Sequence, residues 1–199
     1  MAERVDPAVV DRAGDAVAAG DLVVYPTETV YGLGADALDP AAVERVFAAK
    51  CRDRDDPVSL AVPDVASATE YTAPTERERA FMDALLPGPV TVVLDRRSPV
   101  PDALTAGRDR VGVRVPDHRG AREILRATGP LTATSANVSG TGSARRVTDL
   151  DDRIRQAAAV LIDGGETPGG GSTVVDVASG EIHRRGAAAA AVEDWLAAH

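Results

Sequence analysis

Lysine is nearly missing from this chain. Lys50 is the single lysine among 22 basic side chains, and all the others are arginine. Cysteine is reduced to Cys51, which excludes an intrachain disulfide. The three histidines, His118, His183 and His199, lie far apart with no second cysteine near them, so no structural zinc site is expected. Aromatic residues make up only 3% of the sequence. With few stacking platforms and no basic tract, nucleic-acid binding is not expected as the main role. There is no apolar run of about 18 residues and no charged-then-apolar leader, so neither a membrane span nor a signal peptide is expected. The chain reads as cytoplasmic.

What is present describes a globular domain. A length of 199 residues suits one domain over residues 1–199, long enough to bury a real core. At 44% hydrophobic and 27% charged, the composition is that of a folded protein rather than a disordered one. The charge is lopsided: 31 acidic against 22 basic side chains leave a net −9. Two readings compete. A GC-rich genome favours Arg, Ala, Gly, Val and Asp codons. A salt-loving host calls for a dense carboxylate surface whose self-repulsion high salt screens. The acidity favours the halophilic reading.

Hydrophobic periodicity alternates helix with strand. Residues 7–19 place Val9, Val10, Ala13, Ala16 and Val17 on one helical face. "LVVY" (22–25) is a short apolar strand, and Asp39-Pro40 starts a helix that ends near Lys50. "VSLAV" (58–62) reads as a strand. Thr75 and Glu78 form a capping box for a helix through Leu86. "VTVVL" (90–94) and "VGVRV" (111–115) are strands, and a helix runs from about Asp117 to Gly129. "LTAT" (131–134) is a strand, Thr148 is expected to cap a helix, and "AVLID" (159–163) returns to the sheet. "STVVDV" and "EIHR" flank Ser179-Gly180 as a hairpin, and an alanine-rich helix carrying Trp195 follows. The alternation predicts an α/β fold, and the hairpin predicts a mixed sheet.

The familiar phosphate loops fail. "YGLGADA" offers Gly32 and Gly34, but no acidic residue ends a second strand at the dinucleotide distance, and no Walker loop precedes Lys50. Polar residues gather instead at strand ends. Thr27, Glu28 and Thr29 follow one apolar strand; Ser135, Asn137 and Ser139 follow another. Each cluster alone is equally well read as turn chemistry. Arg114 sits inside an apolar strand, where it needs an anionic partner from the protein or from a ligand. Ser172 and Thr173 follow a glycine loop whose amides could line an oxyanion or merely turn the chain. Strand ends are where open α/β sheets hold ligands.

In order, "YPTETVYGLGADA", Lys50-Cys51-Arg52 with Asp56-Pro57, "LLPGPVTVVL", "VGVRVPDH", "TSANVSG", "DGG…GGGSTVVD" and "HRRGA" resemble the YrdC-like threonylcarbamoyl-adenylate synthases. The resemblance covers roughly residues 10–187. It implies a twisted mixed sheet with flanking helices around a large concave ligand site, in the short single-domain form. It also implies an enzyme that combines ATP, bicarbonate and L-threonine into threonylcarbamoyl-AMP and pyrophosphate, with Mg2+ accompanying ATP. A downstream transferase then modifies an adenosine of tRNA, and direct contact with tRNA is a further expectation.

Carried over by position, Lys50, Arg52, Asp56, Ser135, Asn137 and Arg184 are expected at ATP, with Lys50 and Arg52 catalytic. Thr29, Arg114 and Ser172 are expected at threonine. Threonine and bicarbonate give an N-carboxylate that is already an anion, so the transfer to phosphorus needs positioning and charge neutralisation rather than a side-chain base. Lys50 is expected to end its helix pointing into the cleft as a compact charge for phosphate. The chain departs from the family pattern at Cys51, Asp53, Asp56, Thr134 and Arg185, and Ala61 stands where a histidine is usual. Alternatives are an RNA-binding YrdC-like module and a paralogue with weak synthase activity. A carbamoyl-phosphate-using sister enzyme would need domains for which there is neither length nor cysteine.

Overall fold

The computed structural model describes residues 5–199. The chain enters through α1 (Pro7–Ala18), capped by the Asp6 carboxylate on the Ala8 amide, and passes to β1 (Leu22–Tyr25). A short β2 (Gly32–Gly34) returns antiparallel to β1. Asp39 caps α2 (Pro40–Lys50), which ends at Cys51 in a left-handed conformation. Next come β3 (Ser59–Ala61), α3 (Val65–Tyr71) and α4 (Glu76–Leu85), the last opened by the Thr75–Glu78 capping box. The strands β4 (Val90–Asp95) and β5 (Arg110–Arg114) flank the one-turn α5 (Asp102–Thr105). Then follow α6 (Arg119–Thr128), β6 (Leu131–Ser135), α7 (Asp152–Ala157) and β7 (Ala158–Leu161). The hairpin β8 (Thr173–Asp176) and β9 (Glu181–Arg184) leads to α8 (Ala189–Ala198).

Among the described residues nine strands join one sheet in the order β7-β1-β2-β6-β3-β5-β4-β8-β9. The pairs β1·β7, β3·β5 and β4·β8 are parallel and the others antiparallel, so the sheet is mixed.

Strand alternation decides where helices pack and where the sheet stays open. Leu60, Val92, Leu94, Val111, Val113 and Val175 point to one face and form a core with Phe47 of α2, Phe81 and Met82 of α4 and Val192 of α8. On the opposite face, Val23, Tyr25, Ala61 and Leu131 pack under Ala13 and Val17 of α1 and Ile124 and Leu125 of α6. That second layer covers only part of its face. Over β5 and its neighbours the same face carries Arg110, Gly112, Arg114, Thr91, Val93 and Val174, which form the floor of a cavity.

Two local expectations are corrected, and one strand appears that no pattern announced. Thr148 caps no α-helix: it lies in a 3-10 turn (Val147–Asp149), and α7 is capped by the Asp151 carboxylate on the Arg153 amide at 2.8 Å. The helix expected from Asp117 starts at Arg119, because the His118 ring caps it by accepting from the Ala121 amide. The stretch "GLG" is a strand, although glycine disfavours strands. Its missing side chains leave room for the Tyr25 ring: a Cβ on Gly34 would lie 2.9 Å from that ring, and one on Gly32 3.1 Å. Ala61, where the resemblance leads one to expect histidine, is buried in β3 beside Arg114 of β5.

Candidate active site

The open half of the sheet forms a cavity of about 520 Å3. Its wall carries Arg52, Arg108, Arg110, Arg114 and Arg184, and among the described residues no carboxylate. In a chain of net charge −9, that concentration of guanidinium groups around one hollow marks a site for anions.

Arg52 follows the left-handed turn after α2. Its Nε donates to the Asp56 carbonyl and its Nη2 to the Pro57 carbonyl, both at 3.0 Å. Arg108 donates to the Asp55 carbonyl at 2.9 Å. Both arginines therefore hold the 55–57 loop through neutral oxygens and keep their charge at the rim. Arg184 donates through Nε to the Ser172 carbonyl (3.0 Å) and through Nη2 to the Ser172 hydroxyl (2.9 Å), which in turn bonds Thr91 Oγ1 at 2.8 Å. Burial, reinforced by Arg114 and Arg52, pushes the Arg184 pKa down, as expected where cations crowd one space.

Arg184 reaches the wall because a β-bulge between Val174 and Val175 leaves His183 as the extra residue opposite them. His183 and Arg184 both line the cavity. Gly186 then packs on the 171–172 backbone. A Cβ there would lie 2.3 Å from the Gly171 carbonyl oxygen, so no larger residue fits.

The other end of the cavity is built differently. Arg114 donates through Nη2 to Glu28 Oε1 and to Thr29 Oγ1, each at 2.8 Å. The Thr29 hydroxyl also pairs with that of Thr27 at 3.0 Å. The anionic partner that Arg114 requires is thus Glu28, and the pair is mostly shielded, at 11% and 15% exposure. The glycine loop contributes mainly by turning the chain: the Gly169 amide donates to the Thr29 carbonyl at 2.7 Å, and Tyr31 Oη donates to the Gly165 carbonyl at 2.7 Å.

Lys50 lies elsewhere than its helix-end position suggests. It is 1% exposed and outside the cavity wall. Its Nζ donates to the backbone carbonyls of Ser135 (2.5 Å) and Asn137 (2.7 Å), pinning the turn after β6 from behind. Burial, then the nearby Arg52, lowers its pKa from 10.5 to about 8. Asn137 stands with it: its amide donates to the Val138 and Thr141 carbonyls, and its side-chain oxygen accepts from the Ser135 hydroxyl. Asp56 is exposed on its loop and offers its carbonyl to Arg52, while its carboxylate is absent from the wall.

Of the expected residues, Arg52, Ser135, Arg184, Thr29, Arg114 and Ser172 come together on the wall. Lys50 and Asn137 support it from behind. Sequence reasoning missed Tyr25, Arg108, Arg110 and His183. The alternation Arg110-Val111-Gly112-Val113-Arg114 is a signal that could have found Arg110, since it sets both arginines on one strand face. Arg110 is held by Glu78 at 3.4 Å and Asp176 at 3.2 Å, so its charge is already compensated.

A family model described as "Telomere recombination", covering the Sua5, YciO and YrdC proteins, matches residues 15–186. A threonylcarbamoyl-AMP synthase of Pyrococcus abyssi is 39% identical over 179 residues, 88% of this chain and 52% of that protein. A Serratia proteamaculans protein of the same name is 36% identical, over 86% of this chain and 93% of its own length. The crystal structure of Pyrococcus abyssi Sua5 complexed with L-threonine superposes with a TM-score of 0.85 at 37% identity, covering 92% of this chain and 56% of that one. The chain spans about half the length of the Pyrococcus relative. The resemblance read from the motifs is thereby established at the level of sequence and fold: the chain belongs to the Sua5/YciO/YrdC family.

Proposed function

We propose that this chain, over residues 1–199, is an L-threonylcarbamoyladenylate synthase. It would make threonylcarbamoyl-AMP and pyrophosphate from L-threonine, bicarbonate and ATP, and hand the adenylate to a tRNA-modifying transferase. The observation that carries this reading is the cavity wall, which among the described residues carries arginines and no carboxylate, in an otherwise acidic chain. Among the described residues no helix is long and apolar enough to cross a membrane, in keeping with soluble substrates.

In this reading the amine of threonine and bicarbonate condense to a carbamate with loss of water. A carbamate oxygen attacks the α-phosphorus in line, and pyrophosphate leaves. Arg52 and Arg184 neutralise charge on the triphosphate, with Ser135 at the nucleotide. Lys50 and Asn137 hold the turn that presents Ser135. Asp56 acts through its carbonyl, which orients Arg52. Arg114, with Thr29, receives the threonine carboxylate, and Ser172 sits between the two ends through Arg184. Among the described residues no cluster of three His, Cys, Asp or Glu is arranged for a metal ion, so magnesium is assigned to the nucleotide and enters as MgATP.

Pyrophosphate release from ATP tests the reading. It should require both threonine and bicarbonate, with serine poorer by the modest margin one methyl provides, about 1–3 kcal/mol. Equal release without any amino acid would sink it.

A further inference from the structure

Tyr25 is a large polar side chain at the cavity that the proposed chemistry leaves unused. It ends β1, pairs with Gly32 of β2, and Gly32 in turn pairs with Ser135 of β6. The residue is 2% exposed yet lines the cavity. Its ring is clamped over β2, and the carbon bearing the hydroxyl is the ring atom nearest the Cβ position of Gly32, at 3.1 Å. The ring is therefore fixed by its packing. Its hydroxyl makes no hydrogen bond to any described residue, whereas the neighbouring hydroxyls of Thr27, Thr29 and Tyr31 are all engaged.

Although the ring is buried, the Tyr25 hydroxyl is not among the buried polar atoms left without a partner, so it opens on the cavity and its O–H is free for whatever binds there. Tyr25 reaches the cavity beside the Arg114–Glu28 pair, so the partner its position calls for is a ligand atom at that end.

We propose that the Tyr25 hydroxyl is a specificity-determining donor for an anionic oxygen of the amino-acid substrate, acting beside Arg114. This rests on the assignment of the Arg114 end to threonine. Burial pushes the Tyr25 pKa up to about 12, opposed by Arg114, so the phenol stays protonated through the working range and has an O–H to donate without adding charge. A neutral donor suits this position. A second cation beside Arg114 would repel it, and a carboxylate would repel the substrate. The acceptor is either the α-carboxylate or the carbamate formed on the amine, both of which are carboxylate oxygens.

Tyr25→Phe removes the hydroxyl and keeps the ring. The kcat/KM for threonine should fall about tenfold, as for loss of one hydrogen bond to a charged group, with the KM for ATP unchanged. The melting temperature should not fall, since no internal hydrogen bond is lost. Weaker threonine binding by calorimetry without bicarbonate assigns the α-carboxylate, and a loss seen only in turnover assigns the carbamate. An unchanged kcat/KM for threonine, or equal losses for threonine and ATP, would overturn the proposal. A wild-type chain without threonine-dependent turnover is a different result, because it removes the assignment beneath the proposal.

Discussion

The ion-paired arginines of the outer surface and three of the five arginines of the cavity wall keep different company. Outside, Arg45 meets Asp21, Arg54 meets Glu44, Arg79 meets Asp83, Arg119 meets Glu123 and Arg185 meets Glu193. Inside, Arg52, Arg108 and Arg184 bond only carbonyl and hydroxyl oxygens, and among the described residues none of the three makes an ion pair. A guanidinium bonded to neutral oxygens is held in place with its charge intact, whereas one bonded to a carboxylate is largely neutralised. The same contrast divides the cavity. Its Arg184 end is positive, while its Arg114 end carries the compensated Arg114–Glu28 pair. A triply or quadruply charged phosphate chain suits the first end, and a zwitterion with no net charge suits the second.

Removing an uncompensated cation should have the largest effect. Arg184→Ala should lower kcat/KM for ATP by about a hundred- to a thousandfold, the usual loss for one preorganised electrostatic contact of about 3–4 kcal/mol. Steady-state kinetics at saturating threonine checks this, and a loss below tenfold would place the triphosphate elsewhere.

Arg114→Ala should weaken threonine use by about ten- to a hundredfold and also destabilise the fold by about 3–5 kcal/mol, because it strands a shielded Glu28. Adding Glu28→Gln should restore the melting temperature without restoring threonine use. Recovery of both would mean that Arg114 acts only on stability.

Lys50→Arg should cost at least about tenfold in turnover, or about 1.4 kcal/mol in the barrier. The ammonium occupies a closed space between two carbonyls that a planar, bulkier guanidinium does not fit. Wild-type turnover would show that the position tolerates any cation. Stability should carry a signature too. Lys50 titrates near 8 in the fold against 10.5 in the unfolded chain, so between those values the unfolded chain binds more protons. Stability relative to Lys50→Met should therefore rise with pH across that window. Parallel urea midpoints from pH 8 to 10.5 would contradict the lowered pKa.

The smallest effect belongs to the outer surface. Glu44→Gln breaks the exposed pair with Arg54 and should change stability by less than about 1 kcal/mol, with unaltered turnover. A large activity loss there would erase the distinction between the two populations of arginine.

Much of this was legible in the sequence, for physical reasons that differ by element. Caps and apolar runs are local signals, so α1, α2, α4, β1, β4 and the β8–β9 hairpin could be read directly. β2 could not, because "GLG" has no strand propensity and becomes a strand only when the Tyr25 ring occupies the space its glycines leave. Arg114 announced itself as a charge in an apolar strand, but its partner Glu28 lies 86 residues away and only the fold brings them together. Lys50 drew notice by composition, yet its direction is set by carbonyls at 135 and 137, which no local pattern reveals. The Tyr25 hydroxyl was hidden inside an apolar run that reads as core.

Titrating MgATP and threonine separately by calorimetry into the wild type, Arg184→Ala and Arg114→Ala tests the division of the cavity most directly. The account predicts a crossed pattern: Arg184→Ala loses MgATP affinity and keeps threonine, and Arg114→Ala loses threonine and keeps MgATP. Equal losses of both ligands in both variants, or the reverse crossing, would contradict it.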